Sequence, residues 1–386
     1  MNIFSSDTRL RILQVVNVRW FNATAWYGLF LSSLLQKEGH DVRVLCLPDT
    51  EAFAKAEAMG LGPEGLDLNT PLATLSLCRR MHALTREFKP HIVNCHRGES
   101  FILWGLLKKA MGFGLVRTRG DQRLPRGNFP NILLHSRVAD AVIATSSGIA
   151  TGMRTVLRVP ADHVHTIYGG VDTRRFYPNA SGREEIRTQL RLAPDDVAVG
   201  LVGRFDAVKG QKELIVSFAR LCGQMGENAR RMRLVLAGFA TSSLSDEVVR
   251  CWAREAGIED RVVFTGRCDD VNALMNALDL GVVASLGSET IARVALEIMA
   301  CGVPLIGTRV GVMPDLLQAH ALIAPGDEAA MTAMLHRFAT ESSFGESLRT
   351  EQRERMKTLR EKDFLEQTLS VYRSVLSARQ RVSQDK

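Results

Sequence analysis

The sequence has no apolar run that approaches the roughly 20 residues needed to span a bilayer. Its seven cysteines are odd in number, scattered and never in CxxC spacing. A disulfide framework or a zinc site would need closer pairs, so we expect free thiols in a reducing cytoplasm and no metal site. The charged Arg9-Leu10-Arg11 precedes the first apolar run, and no cleavage site of small residues follows, which predicts a buried strand and not a signal peptide.

The length and the distribution of charge indicate two unlike halves. A chain of 386 residues is long for one hydrophobic core, so two domains are expected. Residues 1–180 carry 22 Lys and Arg against 14 Asp and Glu, whereas residues 181–386 carry 27 against 28. The basic first half favours an anionic partner, namely a phosphorylated glycolipid, an acidic membrane surface or a nucleic acid, and a solvated basic face is the alternative. The charge is densest over Lys108, Lys109, Arg117, Arg119, Arg123, Arg126 and Arg137.

Short apolar runs alternate with amphipathic segments along the chain, which is typical of parallel α/β architecture. The predicted strands are Leu10–Val18, Asp41–Leu47, His91–Asn94, Leu115–Thr118, Asp140–Thr145, Val197–Val202, Arg233–Ala237, Arg261–Thr265, Leu280–Ala284 and Pro304–Gly307. The pattern predicts two doubly wound, Rossmann-like domains facing a central cleft, residues 1–168 and 169–362, joined at Gly169-Gly170. The last amphipathic stretch, residues 363–378, is expected to pack back on the first domain.

One loop with a chemical role is predicted from Gly203 to Gly210, between an apolar strand and an amphipathic helix. Glycines let the backbone approach an anion, and the start of a helix offers N–H groups without intrahelical partners. Arg204 and Lys209 would then neutralise two charges of a diphosphate. The loop matches neither a P-loop nor the GxGxxG of a dinucleotide site, and a plain turn with surface cations is the alternative.

A second candidate segment runs from Ser288 to Gly302 and is expected to open a helix near Thr290. Glu289 and Glu297 would then be separated by ~12 Å along the helix axis and lie on adjacent faces. Glycosidase carboxylates flank one anomeric carbon at about 5–10 Å, so this pair is better suited to hold the two ends of a long polyhydroxylated ligand. Glu297 lies in an apolar stripe and needs a partner, so a structural salt bridge is its alternative role.

These motifs resemble the family 4 glycosyltransferases of the GT-B fold. The resemblance rests on Gly203-Arg204 and Lys209-Gly210, on Thr265-Gly266, and on an E-x7-E from Glu289 to Glu297 that leads into A-x-G-x-P at Ala300 to Pro304. Further similar segments are Gly39-His40-Asp41-Val42, Gly170-Val171-Asp172 and Gly311-Val312-Met313-Pro314-Asp315. The motifs span nearly the whole chain, and the segment around Arg119 is also similar to glycosyltransferases of the cell envelope and lipopolysaccharide core.

The resemblance implies a retaining transfer from a UDP- or GDP-sugar without a metal ion or other cofactor. Arg204 and Lys209 would hold the diphosphate, Glu289 the hydroxyls of the donor sugar, and Glu297 the ribose. Arg204, Lys209 and Glu289 are thus the implied catalytic residues. The full set implied for the donor is Gly203, Arg204, Lys209, Glu289, Ile291, Ala292, Arg293 and Glu297.

The first domain departs from the family pattern where it would face the donor sugar. Many members carry Gly-Gly after the first strand and a histidine after the fourth, whereas this chain has Asn22-Ala23 and Gly120. His96 aligns with a family H-x-H segment, and both a role in the cleft and a structural hydrogen bond remain open for it. The candidate acceptor-binding residues are His96, Arg119, Asp121 and Arg123.

We therefore predict a GT-B glycosyltransferase that binds the nucleotide sugar on its second domain. The basic first domain would bind a glycan or anionic glycolipid, such as a phosphorylated lipopolysaccharide core. Such an enzyme would work in the cytoplasm, in peripheral contact with the cytoplasmic membrane face, with no nucleic-acid partner. The alternatives are a GT-B-fold sugar-nucleotide epimerase, which needs no acceptor, and a non-catalytic glycosyltransferase-like protein that binds a glycan or nucleic acid.

Overall fold

The computed structural model describes residues 8–67, 75–99 and 101–384. The chain divides into two compact units, Met1–Gly170 with Glu361–Lys386, called the N-terminal unit here, and Val171–Arg360, called the second unit. Residues 1–7, which precede the first predicted strand, lie outside the described residues.

A seven-stranded parallel sheet with the strand order β3-β2-β1-β4-β5-β6-β7 forms the centre of the N-terminal unit. Its strands are β1 (Arg11–Val16), β2 (Asp41–Cys46), β3 (Glu64–Gly65), β4 (Ile92–Cys95), β5 (Gly114–Arg119), β6 (Ala141–Ala144) and β7 (Val164–Thr166). Strands β4, β5 and β6 are buried along their whole length, as expected where helices cover both faces of a parallel sheet.

The helices of this unit fill the connections between its strands. They are α1 (Ala23–Lys37), α2 (Glu51–Ala58), α3 (Leu75–Phe88), α4 (Phe101–Met111), α5 (Phe129–Leu133), which continues as a π-helical turn over Leu134–Val138, and α6 (Ser147–Thr155). Polar side chains define several starts: Asn22 accepts a hydrogen bond from Ala25 N, and Ser146 accepts one from Ile149 N.

The second unit contains a six-stranded parallel sheet with the order β10-β9-β8-β11-β12-β13. Its strands are β8 (Val197–Val202), β9 (Met232–Ala237), β10 (Val262–Gly266), β11 (Leu280–Val283), β12 (Leu305–Thr308) and β13 (Leu322–Ile323). Its helices are α7 (Ala180–Gln189), α8 (Gln211–Met225), α9 (Asp246–Glu255), α10 (Val271–Asn276), α11 (Arg293–Ala300), α12 (Met313–Leu316), α13 (Glu328–Thr340) and α14 (Ser342–Met356).

The last helix, α15 (Glu361–Gln384), packs on the N-terminal unit. Phe364 contacts the ring of Tyr27 edge-on, with centroids 4.6 Å apart. The Tyr372 hydroxyl accepts hydrogen bonds from Gln14 Nε2 at 3.1 Å and Asn94 Nδ2 at 2.8 Å. Because all three polar side chains are fully buried, these bonds satisfy groups that would otherwise be costly inside the unit.

Two Rossmann-like parallel sheets confirm the predicted fold class. Each predicted strand is present within one or two residues of its predicted ends. The strands that the sequence did not indicate are β3, β7 and β13, which are too short to show an apolar pattern.

Candidate active site

The candidate site lies in the second unit, between strands β8 and β11. The chain proceeds from β8 to β9 and β10 on one side of the sheet, and from β11 to β12 and β13 on the other. The loops that leave β8 and β11 therefore diverge, and the crevice between them is where open α/β sheets bind ligands. Lys209 lies on the first of these loops and Glu289 on the second.

Glycines allow the loops at this edge to approach one another backbone to backbone. A Cβ on Gly210, whose φ is +74°, would lie 2.0 Å from the carbonyl oxygen of Ala284. A Cβ on Gly238, after β9, would lie 1.9 Å from the carbonyl oxygen of Gly203. Only glycine fits at these two positions, so the loops after β8, β9 and β11 form one closely packed surface.

The side chains of Lys209 and Glu289 form a direct ion pair across the crevice. Lys209 Nζ lies 2.6 Å from Glu289 Oε1, which also accepts a hydrogen bond from Ser285 Oγ at 2.5 Å. The Glu289 side chain is only 10% exposed, whereas that of Lys209 is 27% exposed. The carboxylate is thus fixed from two sides, while the ammonium group still reaches solvent.

Arg204 lies on the same loop but is directed differently. Its guanidinium is half exposed and forms an ion pair with Asp206 at 3.1 Å. The backbone beneath it is anchored, because Phe205 is buried and its N–H donates to the Phe239 carbonyl at 2.9 Å. An exposed cation on an anchored loop can contact a ligand without rearrangement of the main chain.

The helix expected to begin near Thr290 begins three residues later, at Arg293. Ser288 and Ala292 have φ values of +68° and +50°. This left-handed conformation cannot continue a right-handed helix, and it is uncommon outside glycine. The predicted helical spacing of Glu289 and Glu297 is therefore wrong, because Glu289 lies on the loop ahead of the helix.

The start of α11 follows directly on the loop that carries Glu289. Ile291 and Ala292 have buried side chains, so their contribution to a ligand would come from the main chain. The first N–H groups of any helix have no acceptor inside the helix and carry its positive dipole end. A backbone strained at both Ser288 and Ala292 is a feature often found where a loop is shaped for a ligand.

Glu297 lies one turn into α11 and is buried. Its Oε1 accepts a hydrogen bond from Arg293 Nη2 at 3.0 Å, which is the partner that a buried glutamate requires. Burial raises the pKa of this carboxyl, and the opposing effects of Arg293 and Arg175 do not reverse the shift. The structure thus contains the salt bridge that is the structural alternative for Glu297.

His96 lies in the interior of the N-terminal unit. Its ring is fully buried, with Nε2 at 2.8 Å from Gln14 Oε1, and the backbone N–H of His96 donates to the Val15 carbonyl at 3.0 Å. Burial, reinforced by Arg117, lowers the pKa of this imidazole to about 3. A neutral, enclosed histidine has the surroundings of a structural hydrogen bond at a strand end.

The other candidate acceptor residues lie at the end of β5, which is Arg119, and on the loop after it. The Arg119 side chain is 9% exposed, lies 3.9 Å from an Asp121 oxygen, and donates to the Arg123 carbonyl. Arg97 also approaches Asp121, at 3.6 Å. Arg123 itself is exposed. Arg119 therefore holds the loop, and Arg123 is the arginine of the two that an acceptor can reach.

Three features of the sites were not predicted from sequence. Ser285 fixes the Glu289 carboxylate, and Gly238 permits the close approach of two loops. The role of Gly238 could have been found from the sequence, because a glycine directly after a buried strand indicates a close approach of the backbone. Nothing in the sequence distinguishes Ser285. Asn22, which replaces a family glycine, has a clear role as the cap of α1.

Comparison with known families matches the two parts of the chain separately. The family model described as Glycosyltransferase Family 4 matches residues 26–175. The family model described as Glycosyl transferases group 1 matches residues 182–359, which contain Gly203, Lys209, Glu289 and Glu297.

Individual relatives cover part of the chain at moderate identity. The lipopolysaccharide core biosynthesis mannosyltransferase LpsB of Rhizobium meliloti is 32% identical over 233 residues, covering 57% of this chain and 60% of that protein. The D-inositol 3-phosphate glycosyltransferase of Mycobacterium marinum is 29% identical over 180 residues, 46% of this chain and 36% of that protein. The chain thus spans less than two thirds of the length of either relative.

Solved structures resemble this chain over nearly its whole length. The crystal structure of Anabaena Alr3699/HepE in complex with UDP matches with a TM-score of 0.82 at 20% identity, covering 95% of this chain and 100% of that one. At this identity the likeness is one of fold.

Proposed function

Since this chain belongs to the glycosyltransferases of the GT-B type, with a Family 4 domain followed by a group 1 domain, we propose that it transfers a sugar, with retention, from a UDP- or GDP-sugar to a hydroxyl of a glycan or glycolipid. The observation that carries the proposal is the Lys209–Glu289 pair in the crevice between β8 and β11. A cation and a fixed carboxylate at this position suit a ligand with phosphates at one point and hydroxyls at the next.

In this proposal, different side chains of the site bind different parts of the nucleotide sugar. Lys209 and Arg204 bind the diphosphate as a point charge and a planar fork, aided by the N–H groups of Ile291, Ala292 and Arg293. Glu289 accepts hydrogen bonds from the sugar hydroxyls, and Glu297 from the ribose. The Anabaena structure in complex with UDP supports a nucleotide at this type of fold.

The proposed chemistry needs no side-chain base. The acceptor oxygen bonds to the anomeric carbon on the face from which the diphosphate departs, while the bond from that carbon to the phosphate oxygen breaks. The departing phosphate oxygen takes the acceptor proton, so bonds, charge and protons balance. Lys209 and Arg204 stabilise the charge that develops on this oxygen, and with them we propose transfer without a metal ion or other cofactor.

The proposed acceptor is an anionic, phosphorylated glycolipid bound to the N-terminal unit. Its support is the excess of Lys and Arg over Asp and Glu in the first 180 residues, 22 against 14, with the exposed Arg123 on the loop after β5. The printed name of the Rhizobium meliloti relative points to lipopolysaccharide core. A lipid-linked acceptor places the enzyme in the cytoplasm at the membrane surface, and the seven free cysteines are compatible with a reducing compartment.

Calorimetric titration with UDP-, GDP- and ADP-sugars tests the donor site directly. We expect one of them to bind wild-type protein and to be hydrolysed slowly, releasing the sugar in its original anomeric configuration. Absence of binding to all three would contradict the proposal. An epimerised nucleotide sugar formed without an acceptor would instead identify the epimerase.

The acceptor is tested with lipopolysaccharide core oligosaccharide before and after dephosphorylation. We expect Arg123→Gln to raise KM for the phosphorylated form about tenfold and to leave the dephosphorylated form unaffected, as for loss of one charged contact. Arg349→Gln, an exposed arginine of the second unit, is the matched control. An equal change in KM for the phosphorylated and the dephosphorylated oligosaccharide would show that Arg123 does not contact the phosphate.

A further inference from the structure

The N-terminal unit contains a cavity of about 1100 Å³ at the amino-terminal edge of its sheet. Its lining includes Arg11, the first residue of β1, and His91, Asp140 and His163, which directly precede β4, β6 and β7. The last helix, α15, supplies a further part of the lining. The candidate acceptor residues lie at or beyond the carboxyl ends of β4 and β5. This cavity, which we call the edge cavity, therefore lies at the opposite edge of the same sheet.

The charged side chains that line the edge cavity are mostly cationic. Asp140 is the one carboxylate among the described lining residues, and it is already paired with Lys108 Nζ at 2.7 Å and with Arg379 Nη1 at 3.4 Å. None of the other charged lining residues forms an ion pair within the described ranges. They are Arg11, Arg86, Lys89 and Arg137. The edge cavity therefore has a clear excess of positive charge.

The neutral hydroxyl groups of the lining are already used inside their own helices. Thr85 Oγ1 donates to the Met81 carbonyl at 2.7 Å. Ser136 Oγ donates in the same way to the Ile132 carbonyl at 2.7 Å. His163 Nδ1, by contrast, is buried without a hydrogen-bond partner in the part of the chain that the structure describes. A polar ligand would therefore be bound mainly by the four cations.

Buried apolar side chains form a further part of the lining. They are Pro90, Ala139, Val375 and Leu376. The contribution of α15 is held in place, because a Cβ on Gly114 would lie only 2.6 Å from Val375 Cγ1. The helix thus packs directly against the start of β5. A cavity lined by both unpaired cations and apolar side chains suits an anion that carries an uncharged organic part.

We propose that the edge cavity is a second ligand site and binds a nucleoside triphosphate. Guanidinium and ammonium groups match phosphate oxygens, and four cations suit more than one phosphate group. The apolar lining contacts the base. The volume of about 1100 Å³ lies at the upper limit of the roughly 300–1000 Å³ of small-molecule sites, so it admits a nucleotide. The site goes beyond the proposed function, because no residue proposed for the donor or the acceptor lines it.

A role without a ligand is the competing explanation for these cations. Arg86 lies in the last turn of α3 and Arg137 at the end of the π-helical turn, where positive charge complements the negative end of a helix dipole. Arg11 Nε donates to the Lys89 carbonyl at 2.7 Å, just beyond α3. A purely structural role predicts that these cations stabilise the fold and that no anion binds among them.

Calorimetric titration of the full chain with ATP, in the absence of a divalent cation, tests the proposal. We expect wild type to bind ATP, and the double variant Lys89→Gln, Arg137→Gln to bind it about tenfold more weakly, since two charged contacts are lost. The double variant Arg79→Gln, Lys109→Gln removes the same charge from exposed positions of the same unit outside the cavity, and should bind like wild type. Lys209→Ala, in the second unit, should also bind ATP like wild type.

Tripolyphosphate tests whether the organic part of the ligand is bound. It carries the phosphate chain of ATP without the nucleoside, so it should bind about fivefold more weakly through loss of the apolar contact. An affinity equal to that of ATP would overturn the assignment of an organic ligand.

The result separates this proposal from the structural role and from the proposed function. Hydrolysis of the donor sugar should be the same in Lys89→Gln, Arg137→Gln and in wild type, which also shows that the variant is folded. Absence of ATP binding to wild type would overturn the site, and a lower unfolding midpoint of the double variant would then assign the cations to the helix ends. ATP binding that is lost in Lys209→Ala and kept in the double variant would place ATP in the donor crevice and overturn the site as well. Loss of donor hydrolysis in wild type, with ATP binding as expected, would contradict the enzymatic proposal alone.

Discussion

Lys209 Nζ lies 2.6 Å from Glu289 Oε1, although the two residues are 80 positions apart in the sequence. The pair joins the loops after β8 and β11 at the point where the strand order reverses. Each partner holds the other in position before a ligand arrives, so little ordering remains to be done on binding. A bound nucleotide sugar would exchange this contact for phosphate at Lys209 and hydroxyls at Glu289.

Replacement of Lys209 tests that exchange. We expect Lys209→Ala to lower kcat/KM about 100-fold, mainly through kcat, because the lysine stabilises charge that develops on the departing phosphate. Lys212→Ala, three residues further on at an exposed position of α8, should have little effect. Steady-state kinetics with the donor identified by calorimetry measures both variants. A loss confined to KM would mean that Lys209 binds substrate and transition state equally.

The close approach of Gly210 to Ala284 predicts a strong and local effect on stability. Gly210→Ala combines a positive φ with a Cβ only 2.0 Å from a backbone oxygen, so the loops must separate. We expect a loss of about 3 kcal/mol in the free energy of unfolding. Gly223 lies in α8, the helix that begins directly after Gly210, with nothing within 4 Å of an added Cβ, so Gly223→Ala should stabilise by about 0.5–1 kcal/mol. Denaturant unfolding compares the two, and equal effects would contradict the packing argument.

The fold could be predicted from the sequence because the pattern of each strand and of the loop after it lies within a short segment and recurs along the chain. Buried parallel strands appear as apolar runs, and loops with Gly, Arg, Lys and Glu follow them in a recognisable order. The start of α11 could not be predicted, because Ser288 and Ala292 have left-handed conformations that residues other than glycine rarely adopt. The ion pair between Lys209 and Glu289 could not be predicted from the sequence either, because it depends on β8 and β11 being neighbours in the sheet.

The acceptor residues show the limit of prediction more clearly. His96 directly follows β4 and Arg119 is the last residue of β5, where a ligand is expected, yet both are buried and bonded within the unit. Spacing along the sequence places a residue at the end of a strand but does not say which way its side chain turns. Arg123, four residues after Arg119, is exposed and remains the better candidate.

The buried Tyr372 hydroxyl predicts how firmly α15 is attached to the N-terminal unit. Tyr372→Phe would leave the amide groups of Gln14 and Asn94 without this acceptor in the interior, and should lower the free energy of unfolding by about 2 kcal/mol. Tyr177→Phe, at a half-exposed position of the second unit, is the control and should change little. Thermal unfolding measures both, and an unchanged midpoint for Tyr372→Phe would show that the network relaxes without cost.

The buried carboxyl of Glu297 predicts a pH dependence of stability. Burial raises the pKa of this group in the folded protein above the ordinary value of 4.5, despite the opposing contact with Arg293. Between the ordinary pKa and the raised pKa, the folded state binds more protons than the unfolded state. The free energy of unfolding therefore falls as pH rises through this range. Glutamine has no proton to lose. The midpoint of Glu297→Gln minus that of wild type should therefore become more positive as pH rises from the ordinary value of 4.5 through the raised pKa of the folded protein.

The same substitution separates the structural role of Glu297 from its proposed role at the ribose. Thermal unfolding of Glu297→Gln gives the pH series, and Glu346→Gln, at an exposed position of α14, is the control expected to show no such trend. If Glu297 also accepts hydrogen bonds from the ribose, the variant should bind the donor about tenfold more weakly, while being no less stable at neutral pH. A midpoint difference that falls with pH would contradict the raised pKa, and unchanged donor affinity would leave Glu297 as a partner of Arg293 only.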